Sequence, residues 1–433
     1  MSGTYMHPTA GNIMDFGSKA DPVPISVKDR AYLRELALRI QEIAMLPVQA
    51  ERKRLWTAHN DLQPGRPLFV VYPEDGWNDL VGPNNLILEH PFWRNCEWYL
   101  KHLIYRHENI VDDFVTEPDM TAFVAYEIIN GDYGLPITGG RSISSSGAWV
   151  HDPPMKDYMD IQRMMLPEFR VNEARTLSRI VAMEDVFADI LAVHPYVTAH
   201  FSANQPGHAA SLRGIQQIML DMYDDPASLH DLLDILTRGS IKLFKEMEAS
   251  GWLRLNNRNH YVDAGGNGYT ADLPKSQNSS QSAQLSDLWG YGVAQEYSEI
   301  SPQMHDEFGI AYQAKVLELF GLNAYGCCEP YTQKFDILGK ISNLRRVSVS
   351  PWCDITVAAE KLGHEIIYSW KPNPAIVLLE SDISKIRNYI RKTIDTTRGC
   401  IVEIFLKDII HLKGFEQRIK DFSVLLREET SDA

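Results

Sequence analysis

Two short segments in the last third of the chain carry the residue types best suited to chemistry. Residues 325–330 have the sequence YGCCEP, and residues 348–354 have the sequence SVSPWCD. Each segment comes at the end of an apolar run whose β-branched and aromatic residues are typical of a buried strand. Because side chains alternate along a strand, we expect Cys327 and Cys328 to point to opposite faces, one inwards and the other against a helix.

Thiolate, carboxylate and imidazole groups are the ligands of a catalytic zinc ion, which keeps one coordination position open. Neighbouring strands lie about 4.8 Å apart, so inward groups at the two strand ends are able to share one ion. The spacing matches neither CxxC nor HExxH, and structural packing of the cysteines and a redox role therefore stay open beside metal binding. His260 and Asp263 lie in a polar loop, where they are either further ligands or solvated side chains.

Polar and aromatic groups also stand at the ends of other predicted strands. Together they describe a polar face with acids, bases and rings, which suits a small or medium-sized organic ligand. These candidates are Tyr72, Glu127, His200, Asp287, Trp370, Lys371, Asn373 and Glu403.

Eight short apolar runs, separated by segments of helical spacing or length, must position these groups. The predicted strands are residues 68–72, 122–128, 196–201, 285–289, 323–328, 346–350, 365–370 and 400–406. Such a pattern fits a closed (β/α)8 barrel, and an open doubly wound sheet produces nearly the same pattern. Residues 131–165 and 256–284 do not fit the repeat, and we predict that they are long βα-loops or small hairpins.

Before the first strand, residues 1–27 show no periodicity and are predicted to be a surface arm. Asp29 begins a predicted helix, because apolar residues recur after it at intervals of three and four. They are Leu33, Leu36, Ala37, Ile40 and Ile43.

Composition excludes several classes of protein. The chain has 433 residues, 44% of them hydrophobic, and a formal charge of −15, which repels nucleic acid and anionic membranes. No apolar stretch approaches the roughly 20 residues that span a bilayer. The first 18 residues lack the basic start and apolar run of a signal peptide. We therefore expect a cytoplasmic protein whose five cysteines are reduced thiols.

From about residue 60 to about residue 430 the chain resembles the uroporphyrinogen decarboxylase superfamily. The resemblance rests on residues 66–70 (RPLFV), 285–290 (LSDLWG) and 370–374 (WKPNP), together with the CCE and SPWCD strand ends. It implies a (β/α)8 TIM barrel with inserted βα-loops at residues 66–433. Residues 1–65 are then an N-terminal arm and helices packed on that barrel.

The superfamily contains decarboxylases and corrinoid-linked methyltransferases that use zinc. The decarboxylases carry the sequence MRQAGR after the first strand to hold the carboxylates of the tetrapyrrole, whereas residues 71–77 here read VYPEDGW. An acidic loop repels a polycarboxylate, so haem biosynthesis is excluded. The thiol-methylating members show His-x-Cys on the fifth strand and a further Cys on the eighth. Gly326 and residues 406–408 (LKD) occupy those places here, and Cys400 falls at the start of its strand.

The variant strand ends are similar to those of a branch of the superfamily found in anaerobic, methyl-transferring bacteria. Proteins of that branch are O-demethylase components, and they pass the methyl group of a methoxylated aromatic substrate to a corrinoid (cobalamin) protein. The resemblance implies a zinc ion, but since the ligand pattern of the family is not kept, its ligand set here would be rearranged, and we predict that it consists of Cys328, Glu329 and Cys353. Either this zinc coordinates the ether oxygen, or an acid protonates it. The candidate acids are Glu329, Asp354 and Asp287.

The substrate-binding residues that we expect are Tyr72, His200, His260, Trp370, Lys371 and Asn373. Two other functions remain open for the same site. One is a decarboxylase-like lyase that acts on a non-porphyrin acid, and the other is a non-catalytic barrel that binds a tetrapyrrole or a corrinoid protein.

Overall fold

The computed structural model describes residues 20–141, 149–197, 201–262, 265–275 and 282–431. The strands of this part of the chain are β1 (Leu68–Val71), β2 (Asp119–Phe123), β3 (Tyr126–Ile129), β4 (Thr138–Arg141), β5 (Trp149–Asp152), β6 (Glu168–Val171), β7 (Ala192–Tyr196), β8 (Ser202–Ala203), β9 (Trp289–Gly292), β10 (Leu322–Tyr325), β11 (Leu344–Val349), β12 (Ile367–Trp370) and β13 (Val402–Leu406).

Seven of these strands form one parallel sheet in the order β1-β13-β12-β11-β10-β9-β8. From β8 to β13, each strand lies beside the strand that follows it in the chain, as expected when each connection crosses over through a helix. Strand β1 lies at one edge of the sheet, beside β13. A second parallel pair joins β2 to β7. The carboxyl ends of all the strands of the main sheet therefore lie along one edge, where a functional site is expected.

Each of the eight predicted runs overlaps an observed strand, and the mixed α/β class with a mainly parallel sheet is confirmed. In the described ranges no ladder joins β1 to β2, so the closed TIM barrel stays a prediction. Three runs need correction. The run at residues 196–201 coincides with β7 only at Tyr196. Residues 122–128 divide between β2 and β3, and β3 pairs antiparallel with β6. Residues 285–287 form a short 3-10 helix before β9.

The α-helices are α1 (Val27–Ala44), α2 (Pro47–Asn60), α3 (Trp77–Leu80), α4 (Pro91–Asn109), α5 (Glu173–Phe187), α6 (Gln205–Arg213), α7 (Ile215–Asp224), α8 (Pro226–Ala249), α9 (Pro302–His305), α10 (Ala311–Leu317), α11 (Phe335–Leu338), α12 (Ile355–Leu362), α13 (Pro374–Leu379), α14 (Ile383–Thr396) and α15 (Glu416–Ser431). None of the helices in the described ranges is long and apolar enough to cross a membrane.

The first helix is where its sequence predicts it, with Ser26 as its N-cap accepting a hydrogen bond from the Asp29 amide. Leu33, Ile40 and Ile43 form its buried face. Burial of each such side chain stabilises the fold by roughly 1.5–3 kcal/mol, so packing holds this helix in place.

The two segments that break the repeat hold short antiparallel elements. Strands β4 and β5 form a hairpin within residues 131–165. An isolated antiparallel bridge joins Tyr261 to Asn267 within residues 256–284. The expectation of small hairpins is confirmed for the first segment.

Candidate functional site

A cluster of charged, thiol and aromatic side chains lies at the carboxyl ends of β1, β10, β12 and β13. We call this cluster the mouth. It consists of Tyr72, Glu74, Cys327, Cys328, Lys371, Lys407 and Asp408.

The two adjacent thiols lie on the same side of the chain. The Sγ atoms of Cys327 and Cys328 are 3.5 Å apart, so the expected separation onto opposite faces is wrong. The reason is that β10 ends at Tyr325 and Gly326 then adopts a φ of +92°. This left-handed conformation, which glycine adopts without strain, interrupts the alternation.

The Lys407 ammonium group is a buried cation of the mouth. Its Nζ atom lies 3.4 Å from Cys327 Sγ and 3.5 Å from Asp408 Oδ1. Burial lowers the pKa of Lys407, but Tyr261, Cys327, Asp408 and Glu74 outweigh it and raise this pKa well above its ordinary value. Lys407 therefore remains charged at neutral pH.

Glu74 and Asp408 meet at the rim through strained backbone. Both are non-glycine residues with positive φ, +50° and +63° respectively. The Asp408 amide donates a 2.7 Å hydrogen bond to Glu74 Oε2. Such strain costs of order 1–3 kcal/mol for each residue and is concentrated at functional sites. Burial, opposed by Lys407 and reinforced by Asp408, raises the pKa of Glu74 to about 7.

Beneath the mouth lies a buried charged network, which we call the floor. It consists of His59, Arg346, Ser369, Lys371 and Glu403. The Glu403 carboxylate lies 2.8 Å from Arg346 Nε and 3.4 Å from His59 Nε2, and it accepts a hydrogen bond from Ser369 Oγ. Burial raises the pKa of Glu403, but Arg346, His59 and Lys371 outweigh it and lower this pKa to about 2.

The floor also fixes helix α2 and the loop that follows α8. The Asn60 amide donates to the carbonyl oxygens of Asn267, at 3.0 Å, and Tyr269, at 2.7 Å. Arg346 donates to Asn60 Oδ1 at 2.8 Å. The loop is therefore bonded to the sheet through a residue of the N-terminal helices.

Lys371 connects the floor to the mouth. Its Nζ atom donates to Ser369 Oγ at 2.5 Å and lies 5.1 Å from the centroid of the Phe405 ring. Burial lowers the pKa of Lys371 to about 7, even though the nearby Glu403 carboxylate opposes this effect. A substantial fraction of this amine is neutral at physiological pH.

An aromatic wall completes the mouth. The Tyr72 ring stacks on Phe405 at a centroid distance of 5.6 Å and meets Tyr261 edge to face at 4.8 Å. Tyr72 and Phe405 are buried and Tyr261 is half-buried, so these rings form an apolar layer beside the charged groups. Tyr72 and Lys371 both contact the Phe405 ring.

The predicted zinc ligands do not form one site. Glu329 is buried, and its carboxylate accepts hydrogen bonds from the amides of Ala294, at 3.1 Å, and Cys327, at 3.0 Å, and from the Tyr331 hydroxyl. The described ranges contain no group of three His, Cys, Asp or Glu side chains able to hold a metal ion. The trio of Cys328, Glu329 and Cys353 therefore does not fit zinc, because Glu329 is committed to ordering its own loop.

The other two predicted acids also have structural partners. Asp354 caps α12 by accepting from the Thr356 and Val357 amides. Asp287 lies before β9, at the opposite edge of the sheet from the mouth, where its carboxylate accepts from the Gln284 amide at 3.1 Å. The placement of Asp287 at a carboxyl strand end is therefore wrong.

Several of the expected binding residues lie apart from the mouth cluster. Trp370 packs outwards against Tyr389, at a centroid distance of 5.2 Å, and Asn373 caps α13. Glu127 is exposed on the antiparallel strand β3. Trp370 and Asn373 therefore have structural roles, and substrate contact by either residue gains no support.

His260 stacks on Tyr196 with a centroid distance of 4.7 Å. Burial, with repulsion from Arg258 and His194, lowers the pKa of His260 to about 3. The imidazole is therefore neutral, in contrast to a solvated loop histidine. His200 and Asp263 lie outside the described residues.

Sequence reasoning missed Glu74 and Lys407 as site residues. Both follow directly after strands that are neighbours in the sheet, β1 and β13. Glu74 comes three residues after the end of β1 and Lys407 one residue after the end of β13, and this position was the available signal, since polar residues there face the carboxyl edge.

Comparison with known proteins adds little to the description of the site. The chain matches no family model and no curated protein. A solved structure of a methyltransferase from Methanosarcina mazei is similar at 14% identity, covering 87% of this chain and 97% of that chain, with a TM-score of 0.49. This likeness is too weak to assign a fold or an activity.

Proposed function

We propose that the chain is a methyltransferase that transfers the methyl group of a methoxylated aromatic compound to the corrinoid of a partner protein. The observation that carries this proposal is the Glu74 carboxyl group at the rim of the mouth, whose pKa is about 7. A carboxylic acid that is still partly protonated at neutral pH is suited to general acid catalysis.

The difficult step in cleaving an aryl methyl ether is departure of the aryl oxygen. As the C–O bond breaks, Glu74 donates its proton to that oxygen, and the product leaves as a neutral phenol. General acid catalysis of this kind contributes roughly 10²- to 10⁴-fold in rate. Lys407 lies close enough to Glu74 to affect its pKa, so its charge also stabilises the oxygen as negative charge develops.

The aromatic wall accounts for the substrate class. Tyr72 and Phe405 stack on each other and are buried, so they form an apolar layer behind the mouth, and the benzene ring of the substrate is proposed to lie beside the half-buried Tyr261 ring. The corrinoid of the partner would supply the Co(I) nucleophile that accepts the methyl group. No step is assigned to zinc, because Glu329 is already bonded to two amides and a hydroxyl.

A lyase acting on a carboxylic acid is the second candidate. It is favoured by Lys407, since an ammonium group attracts a substrate carboxylate. A lyase would release carbon dioxide without any corrinoid, so the two candidates give different products.

The test is anaerobic incubation of the purified chain with a corrinoid protein reduced to Co(I) and a panel of methoxylated aromatic compounds. The expected result is a methyl-Co(III) absorbance spectrum and an equimolar phenol product. Glu74→Gln should reduce this rate at least about 100-fold, as removal of a general acid does. Glu360→Gln, at an exposed position of α12, is the matched control.

Other outcomes overturn the proposal. Carbon dioxide release without corrinoid supports the lyase. Tight association with the corrinoid protein, but no turnover of any substrate, supports the non-catalytic alternative.

A further inference from the structure

The mouth contains two adjacent thiols that the proposed reaction does not use. Cys327 and Cys328 are both half-buried, and their Sγ atoms are 3.5 Å apart. A disulfide bond requires about 2.05 Å. Because consecutive Cα atoms lie only about 3.8 Å apart, below the usual range of roughly 4.4–6.8 Å for a disulfide, closing this bond forms a strained eight-membered ring and requires the backbone at residues 327–328 to move as well as the side chains.

The two thiols have different electrostatic surroundings. Cys327 Sγ lies 3.4 Å from the Lys407 ammonium group, whereas Cys328 Sγ lies 3.9 Å from Asp408 Oδ2. A neighbouring cation stabilises a thiolate, and a neighbouring carboxylate favours the neutral thiol. In agreement, the contact with Cys327, followed by burial, raises the pKa of Cys328 far above its ordinary value. Cys327 is thus the nucleophile of the pair and Cys328 the second thiol.

The remaining cysteines lack this arrangement. Burial raises the pKa of Cys96 to about 12, and it also raises the pKa of Cys353 and of Cys400. Cys353 Sγ contacts the Thr332 hydroxyl at 3.6 Å. These three thiols serve as internal references of lower reactivity.

We propose that Cys327 and Cys328 are a modification site for hydroperoxides, at which the pair is oxidised to a disulfide. The Cys327 thiolate attacks the terminal peroxide oxygen, forming an S–O bond while the O–O bond breaks and the alcohol leaves with one proton from water. Cys328 sulfur then attacks Cys327 sulfur, forming the S–S bond while the S–O bond breaks. The hydroxyl leaves as water with the Cys328 proton. The pair loses two electrons and the hydroperoxide gains two.

Oxidation changes the mouth as well as the thiols. Oxidation removes the negative charge of the Cys327 sulfur, so Lys407, whose Nζ atom lies 3.4 Å from it, loses one of its anionic neighbours. The site is therefore chemically coupled to the charge of Lys407.

The experiment uses the reduced full-length protein with limiting hydrogen peroxide, followed by alkylation, proteolysis and mass spectrometry. The peptide with both thiols should lose two hydrogens before Cys96, Cys353 or Cys400 reacts. In Cys328→Ser, Cys327 should stop at the sulfenic acid and be captured by dimedone.

Lys407→Met isolates the role of the ammonium group. It should slow oxidation of Cys327 roughly 3- to 10-fold, because loss of thiolate outweighs the gain in nucleophilicity. Lys413→Met removes the same charge from an exposed position nearby and should leave the rate unchanged. Equal rates in the two lysine variants, or reaction of Cys400 before the pair, would overturn the proposal.

Discussion

Replacing Glu403 with glutamine tests whether the floor stabilises the fold through its charges. Glu403 is 0% exposed and Arg346 is 2% exposed, and the two are in contact at 2.8 Å. Glutamine preserves the shape of the side chain but leaves Arg346 without its counter-charge. Removing one partner of a buried ion pair typically costs about 3–5 kcal/mol. We expect Glu403→Gln to lower the free energy of unfolding by an amount in this range.

The pKa of Glu403 gives an independent magnitude. Its value is about 2 in the folded protein, against 4.5 ordinarily. At about 1.4 kcal/mol per pH unit, this difference corresponds to roughly 3 kcal/mol at pH 7. Because the folded pKa is depressed, this stabilisation is complete above pH 4.5 and is lost as the pH falls towards 2. At pH 3.5 about 2 kcal/mol should remain.

The assay is urea unfolding of wild type and Glu403→Gln at pH 7 and pH 3.5, with Glu360→Gln as the exposed control. The free energy of unfolding should differ by about 3 kcal/mol at pH 7 and by less at pH 3.5. A difference below about 1 kcal/mol at pH 7, within the range of an exposed ion pair, would refute the reasoning. A difference that grows on acidification would refute the assigned sign.

Three further predictions concern other positions. The wild-type methyl-transfer rate should fall above about pH 7 as Glu74 loses its proton, and the residual rate of Glu74→Gln should show no such step; a shared pH profile contradicts the role of Glu74. Gly268→Ala should lower the free energy of unfolding by more than about 2 kcal/mol, because the added Cβ meets the Asn256 carbonyl oxygen at 1.9 Å. Gly65→Ala, whose added Cβ has nothing within 4 Å, should change this free energy little. Chemical denaturation of the two variants measures the difference. Burial lowers the pKa of Lys371 to about 7, so the unfolded chain binds more protons than the folded chain between pH 7 and 9. Over this range the free energy of unfolding of wild type, measured by urea titration, should rise by roughly 2 kcal/mol relative to that of Lys371→Met. If the two free energies change in parallel with pH, the lowered pKa is excluded.

Much of the secondary structure was predictable because apolar periodicity is a local property. The strand at residues 402–406 and the helix beginning near Asp29 are found where their patterns predict them. From β8 to β13 the order of strands in the sheet follows the chain, since a crossover usually returns the chain to a strand beside the previous one. The exact end of β10 was not predictable, because the left-handed φ of Gly326 depends on packing against Tyr331.

The site was harder to predict because its contacts are long-range. Glu74 and Asp408 are bonded to each other across 334 residues of sequence, and no local pattern encodes that pairing. Cys328 was singled out from the sequence, and it lies in the mouth with its Sγ atom 3.5 Å from that of Cys327. The role of Glu329 was misjudged, because the sequence does not reveal which backbone amides a carboxylate will satisfy.

The position of Asn60 bears on how this protein can be divided experimentally. This single amide holds the loop at residues 267–269 and is itself held by Arg346. A truncation after residue 65 would therefore remove part of the sheet's own interior and leave a buried guanidinium group facing a void. The chain changes from helices to strands near residue 65, but this change is not a boundary between two folding units. We expect the smallest unit that folds on its own to begin upstream of α2.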